Sequence, residues 1–316
     1  MRRALCAALA ASWLLALPSA ASAAAPLVVG IGEQKEGIFA SEPWQQLGTR
    51  DVRYVVAWDA LDTRWQREET DAYMAAAENA GARVLLGFSH SRSRFKRVRK
   101  SLPSPSRFRR VFKRFRTRYP FITSYLTWNE ANHRGQPTWN RPKLVGRYYD
   151  ILRTDCRACT IVGPSVLDSL AMPRWVKQVE KAAKQRIGIW AIHNYIDANR
   201  FRTRGTRSLL RATKAKLWFT ETGGLVRRDN GSKIEFADSP KHAVKATRWV
   251  LKLARLSPRV RRVYFYHWTA PPPKATWDSA LIDRRGKPRP AYTVVRTFVR
   301  RLRAATRQRA AARARR

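Results

Sequence analysis

Acidic residues are scarce in this chain: 22 Asp and Glu stand against 64 Lys and Arg among 316 residues, a formal net charge of +42. A field of that sign and size points to polyanionic partners such as anionic cell-wall polymers, uronic-acid polysaccharides, membrane headgroups or nucleic acid. The other reading is an Arg-rich composition carried on solvated helix faces, and charge at this level speaks to association rather than to fold. Cysteine is scarce too, with only Cys6, Cys156 and Cys159. A Cys-x-x-Cys pair without two further ligands at zinc-like spacing makes neither a structural zinc site nor, without thioredoxin-like surroundings, a redox centre. Long apolar runs are missing after the first twenty residues, which excludes a membrane-spanning helix of ~20 residues.

The one apolar run, Leu5 to Leu17, follows Arg2 and Arg3 and precedes Ala21-Ser22-Ala23. That order of charge, short apolar stretch and small-residue cleavage site is a secretion signal, residues 1–23. Cys6 lies at the start of the run rather than after it, so a lipid-anchored form is disfavoured. Removal of the leader takes Arg2 and Arg3 with it and leaves +40. Cys156 and Cys159, in an exported chain, are then expected to form a small-loop disulfide. The remaining ~290 residues suit a single α/β domain, and the protein is expected to be a secreted or wall-associated monomer.

Short β-branched and aromatic runs alternate with longer amphipathic segments along the whole chain, the pattern of repeated βα units. Strands are expected from residues 27, 52, 84, 122, 160, 187, 215 and 262. Helices fit Asp71 to Ala80, Phe108 to Tyr119, Leu144 to Thr154, Trp175 to Lys184, Ser208 to Thr213, His242 to Leu256 and Ala291 to Leu302. Pro43 to Leu47 gives the weakest helical signal. Eight such units predict a (β/α)8 barrel over 24–302, followed by a basic Ala/Arg tail over 303–316. In the basic stretch from Arg92 to Arg118, Phe108, Val111, Phe112 and Phe115 fall on one helical face, so a solvated outer helix is favoured there over a nucleic-acid site.

In a parallel barrel the chemistry sits at the C-terminal ends of the strands. Here those ends carry Trp58 and Asp59, His90, Trp128-Asn129-Glu130, His193-Asn194-Tyr195, Glu221, and His267-Trp268. Glu130 and Glu221 each end an apolar strand, which brings two carboxylates to one rim. A protonated carboxyl beside an ionised one is what cleavage of a glycosidic bond requires. The aromatic rings nearby suit the C–H faces of sugars. Each carboxylate taken alone reads equally well as an ion-paired rim residue.

The Trp-Asn-Glu-Ala-Asn ending of strand four, Thr-Glu-Thr-Gly ending strand seven, His-x-Tyr on strand six and Trp ending strand eight resemble clan A retaining glycoside hydrolases, with family 39 nearest in flavour. The resemblance covers essentially the whole mature chain. It implies Glu130 as general acid/base, Glu221 as nucleophile, Asn129 on the sugar 2-hydroxyl, and Tyr195 hydrogen-bonded to the nucleophile. It further implies that His193 orients the pair and that Trp268 floors the subsite, often through an unusual peptide bond. Trp58, His90, Trp128 and His267 complete the expected substrate contacts. Clan members also place an Arg late on strand two, whereas this strand ends in Trp58-Asp59 and has Arg53 at its start. The expected activity is retaining hydrolysis of β-glycosidic bonds in a polysaccharide or oligosaccharide, with no cofactor and no metal. The alternative is a catalytically silent barrel that binds carbohydrate or a wall polyanion.

Overall fold

The computed structural model describes residues 27–229 and 239–315; the expected leader, 1–23, lies outside the described residues. Its strands in chain order are β1 (Val28–Gly32), β2 (Asp51–Ala57), β3 (Arg83–Ser89), β4 (Ser124–Leu126), β5 (Thr160–Val162), β6 (Ser165–Leu167), β7 (Ile189–His193), β8 (Lys216–Thr222), β9 (Arg227–Arg228), β10 (Val260–Tyr266) and β11 (Trp277–Asp278). Nine of them form one parallel sheet in the order β5-β4-β3-β2-β1-β10-β8-β7-β6, and β9 with β11 makes a small antiparallel ribbon. The segment expected as one strand from residue 160 arrives as two, β5 and β6. Pro164 cannot donate to a ladder, and Gly163 donates instead to the carbonyl of Ile189. Because β5 pairs with β4 and β6 with β7, the unbroken chain between them joins the two ends of the sheet into a barrel.

Among the described residues ten α-helices surround this sheet: α1 (Glu42–Leu47), α2 (Arg64–Asn79), α3 (Lys96–Arg99), α4 (Pro105–Arg118), α5 (Pro142–Asp155), α6 (Met172–Ala182), α7 (Tyr195–Asn199), α8 (Arg204–Ala212), α9 (Pro240–Leu253) and α10 (Pro290–Ala314). Several start earlier than apolar periodicity suggests, because Pro occupies the first turn of α4, α5, α6 and α9, where its missing N–H costs nothing. The start of α2 precedes the expected one by two turns, since the positions it buries there, Gln66 and Thr70, are polar and carry no apolar signal. The Ala/Arg segment after Arg303 continues α10, as two strong helix formers should.

The core has two layers. Leu85, Leu126, Val162, Ala191, Trp218 and Tyr264 fill the barrel interior, while the alternate strand residues pack outward against the helices. Below this interior layer, buried Asp51 binds Arg83 and Arg262. Gly30 and Gly32 on β1 leave the barrel room for larger neighbours: a Cβ at Gly30 would lie 2.7 Å from the Tyr264 ring, and one at Gly32 would lie 3.2 Å from Tyr266. Cys156 and Cys159, at the end of α5, are joined in a disulfide with Cα atoms 5.3 Å apart. No described helix is long and apolar enough to cross a membrane.

Candidate active site

Glu130 stands just beyond β4 with φ of 48°, an uncommon left-handed conformation for a glutamate. Local hydrogen bonds hold it there: its N–H donates to Ser165 Oγ at 2.7 Å, Ala131 N–H donates to the Ser165 carbonyl, and Asn129 N–H donates to the carbonyl of Phe88. Asn132 ties the same loop to β6 through both its amide atoms and the backbone of Leu167. A backbone constrained from three strands thus aims the Glu130 carboxylate into the barrel mouth.

Glu221 enters the mouth from β8, directly across from His193 in the β7–β8 register. Its Oε2 accepts from Arg53 Nη1 at 2.9 Å, and its Oε1 accepts from the Tyr195 hydroxyl at 3.3 Å. The guanidinium of Arg53 is buried and also donates to Asn129 Oδ1 through Nη2. It balances a carboxylate that is itself only 14% exposed. Arg53 lies low on β2, yet its interior-facing side chain is long enough to rise one layer to the mouth; it is the arginine that strand-end reasoning looked for farther along.

His193 is fully buried, with Nδ1 3.0 Å from Glu130 Oε1 and Nε2 3.5 Å from Arg53 Nη2. An ionised carboxylate only accepts, so Nδ1 carries the proton that bridges to Glu130. The same Nδ1 lies 3.7 Å from Glu221 Oε2 and so links the two carboxylates. Burial is the largest influence on the Glu130 carboxyl and raises its pKa. The hydrogen bond and charge of His193, with smaller help from His133 and Arg53, outweigh burial and set the pKa below the ordinary glutamate value.

One ligand atom each from Glu130, His193 and Glu221 lies within 4.8 Å of the others, so this cluster is also the place where the described residues could gather around a metal ion. Arg53 already faces the Glu221 oxygen that such an ion would have to share, and supplies the positive charge there. The distance has a second meaning. Paired carboxyl groups ~5–5.5 Å apart suit double displacement, whereas inverting pairs sit ~6.5–9.5 Å apart to admit a water.

The mouth opens into a cavity of about 710 Å³ lined by Glu33, Glu130 and Glu221 and by His133, Asp168, His193, Tyr195, Tyr266, His267 and Trp277, among others. That volume lies within the usual range of small-ligand sites. Asn129, Glu130, His193, Tyr195 and Glu221 are therefore brought together, and His267 lines the same cavity with its Nδ1 hydrogen-bonded to the Thr269 carbonyl. Tyr195 reaches Glu221 from the first residue of α7, not from a strand shared with His193, because β7 ends at His193.

Four expected sugar contacts lie elsewhere. Trp128 is completely buried, stacked on Tyr148 and hydrogen-bonded to Gln136. Trp58 is buried under the guanidinium of Arg107. Trp268 is buried against Trp44 and Tyr292, and its N–H and that of Thr269 donate to Glu33, which pins the loop after β10. The unusual peptide bond is cis Tyr266–His267, two residues before the place the resemblance suggests, and Tyr266 lines the cavity in place of Trp268. Trp277, from β11, was not anticipated; it packs edge-on against Tyr195 with its indole on the cavity wall. Period-two alternation was the available signal for Tyr266, since Tyr264 and Tyr266 share the interior face of β10. His90 does not reach this cavity and instead lines a neighbouring cleft.

No family model and no curated protein matches the sequence. Solved structures do match in three dimensions. Xylanase 10B from Thermotoga petrophila, solved with xylobiose, superposes with a TM-score of 0.63 at 10% identity over 87% of this chain and 94% of that one. The family 39 enzyme from Xanthomonas axonopodis pv. citri gives 0.61 at 18% identity over 87% and 67%. A family 39 glycoside hydrolase from Bacteroides cellulosilyticus gives 0.58 at 14% over 87% and 63%. The fold is that of the (β/α)8 glycoside hydrolases. At these identities the likeness concerns the arrangement of the backbone.

Proposed function

We propose that this protein is a secreted retaining glycoside hydrolase that cleaves β-glycosidic bonds of a polysaccharide or oligosaccharide. The observation that carries the reading is the pair of carboxylates at the barrel mouth, with Glu130 and Glu221 oxygens within 4.8 Å and separate donor sets on each. The sequence leader supports export, and the fold shared with known glycosidases supports the reaction class.

In this reading Glu221 attacks the anomeric carbon while Glu130 gives its proton to the departing glycosidic oxygen. The products of the first step are a free leaving-group sugar and a glycosyl ester on Glu221. Glu130, now ionised, takes a proton from water as the water attacks the ester, which restores both groups. A sugar in the cavity displaces water from around Glu130 and strengthens burial, the influence that favours its protonated form. Arg53 holds the Glu221 carboxylate in line, and Tyr195 donates to its other oxygen. Asn129 turns its Oδ1 to Arg53, which leaves its amide N–H groups for the sugar 2-hydroxyl. Tyr266 and Trp277 provide the aromatic walls. None of these steps calls for a metal or an organic cofactor.

Replacing Glu130 with Gln separates this role from a structural one. An activated aryl leaving group needs no proton, so such substrates should still form the ester and then stall, while natural glycosides fail by ~10²–10⁴-fold. Stopped-flow measurement should show a burst of aryl alcohol; equal loss on both substrate types would reject the acid/base assignment.

A further inference from the structure

A second and larger cleft, about 1670 Å³, opens beside the barrel mouth and is walled by α3, the loop before α5, and the outer faces of α5 and α6. It is continuous in sequence with the catalytic loop: Glu130 and His133 face the smaller cavity, while Arg134, Gln136 and Trp139 of the same loop face the cleft. Eight Lys or Arg side chains line it and no Asp or Glu does. Among them Arg99, Lys100, Arg134, Arg141, Lys143 and Arg147 are exposed. None of the eight makes a side-chain hydrogen bond or ion pair with any described residue.

Several surface arginines outside the cleft are matched, for example Arg118 with Asp71, Arg114 with Asp62 and Arg92 with Glu69. The acids on α5 and α6 are turned to other work. Asp150 accepts the N–H groups of Lys184 and Gln185, Asp155 pairs with Arg109, and Glu180 accepts from the Trp190 indole. Concentrating unmatched cations in one concave surface costs mutual repulsion that an anionic occupant relieves. Trp139, 45% exposed, is held at this wall by the Trp175 indole, which donates to its carbonyl.

We propose that this cleft binds a uronate-bearing stretch of a polysaccharide whose scissile bond lies in the adjoining cavity. The cations meet the carboxylates and Trp139 meets a pyranose face. The choice of an acidic glycan over a nucleic acid follows from the loop shared with the carboxylate pair, and it rests on the glycosidase reading for the second half of the sentence.

Binding can be measured without turnover, in the full chain carrying Glu221→Gln, by calorimetry against polygalacturonate, neutral xylan and a single-stranded DNA oligonucleotide. The cleft variant carries Arg99→Gln, Arg141→Gln and Arg147→Gln; the control carries Arg300→Gln, Arg307→Gln and Arg309→Gln on α10. Polygalacturonate affinity should fall at least about tenfold in the cleft variant, with a shallower salt dependence, and little in the control. Trp139→Ala should weaken it further at high salt, where stacking persists. Equal loss in both variants would assign binding to bulk charge, and tighter cleft-dependent binding of DNA would assign the cleft to nucleic acid; either overturns the proposal. Because the readout is binding, a protein inactive on every glycoside would sink the catalytic reading and leave this test intact.

Discussion

At the residue scale the proposed chemistry turns on the balance at Glu130. Burial raises its pKa, but His193, His133 and Arg53 together hold the carboxyl below the usual glutamate value. In its proposed role as general acid Glu130 works only while protonated, so a lowered pKa should bring the descending limb of kcat/KM, which reports the free enzyme, to acidic pH. Substrate excludes water and strengthens burial, so the descending limb of kcat, which reports the complex, should lie at higher pH. Paired pH profiles on one unactivated substrate check this, and coincident limbs would show that Glu130 is not retuned by binding. Asp168, at the cavity wall, is pushed up to about 7 by burial, which outweighs the hydrogen bond it accepts from the Asp197 backbone N–H. Its pKa is raised over the unfolded value, so its ionisation costs nothing below pH ~4, an increasing amount from ~4 to ~7, and a constant amount above that. Asp168→Asn should therefore gain stability over the wild type as pH rises through that window, on the order of a few kcal/mol at most; a pH-independent difference in denaturant midpoint would contradict this.

At the element scale, much of the barrel was legible and the reasons for the rest are local. All eight strand positions followed from apolar runs, except that the run at 160–167 was read through Gly163-Pro164, where the ladder changes partner. Helix ends slipped because periodicity reports the buried face, and the first turns of α4, α5, α6 and α9 are marked by Pro instead. The carboxylate pair was visible because strand ends were visible. The aromatic walls were not, since a Trp next to a strand end points outward into the helix layer as readily as inward, as Trp58, Trp128 and Trp268 all show. The place of Arg53 in the site is not legible from its position early in β2, because its long side chain reaches the mouth from there. The interior spacing of β1 gives a direct check. A Cβ at Gly30 would stand 2.6 Å from the Asp51 carbonyl, whereas one at Gly37 meets nothing within 4 Å. Gly30→Ala should destabilise by about 1–3 kcal/mol and Gly37→Ala should stay within about 0.5 kcal/mol. Urea midpoints for both variants test the packing, and equal midpoints would contradict it.

At the scale of the whole molecule, a neutral-to-basic division of labour emerges. The barrel interior fixes one charged constellation, Arg53 with Glu221 and His193 with Glu130, at a mouth of modest volume. The outer layer carries the charge excess, and α10 extends it as a single basic helix to Ala314. The fold is common to many glycosidases, and a fold alone does not fix an activity. The claim that matters is therefore the role of one carboxylate. The most direct test is Glu221→Gly on whichever activated aryl glycoside the wild type turns over, with and without azide. Turnover should vanish while the circular dichroism spectrum is retained, and azide should restore it by filling the space of the lost side chain, yielding a glycosyl azide of inverted anomeric configuration. Undiminished turnover in that variant, or an azide product of retained configuration, would contradict the assignment of Glu221 as the nucleophile.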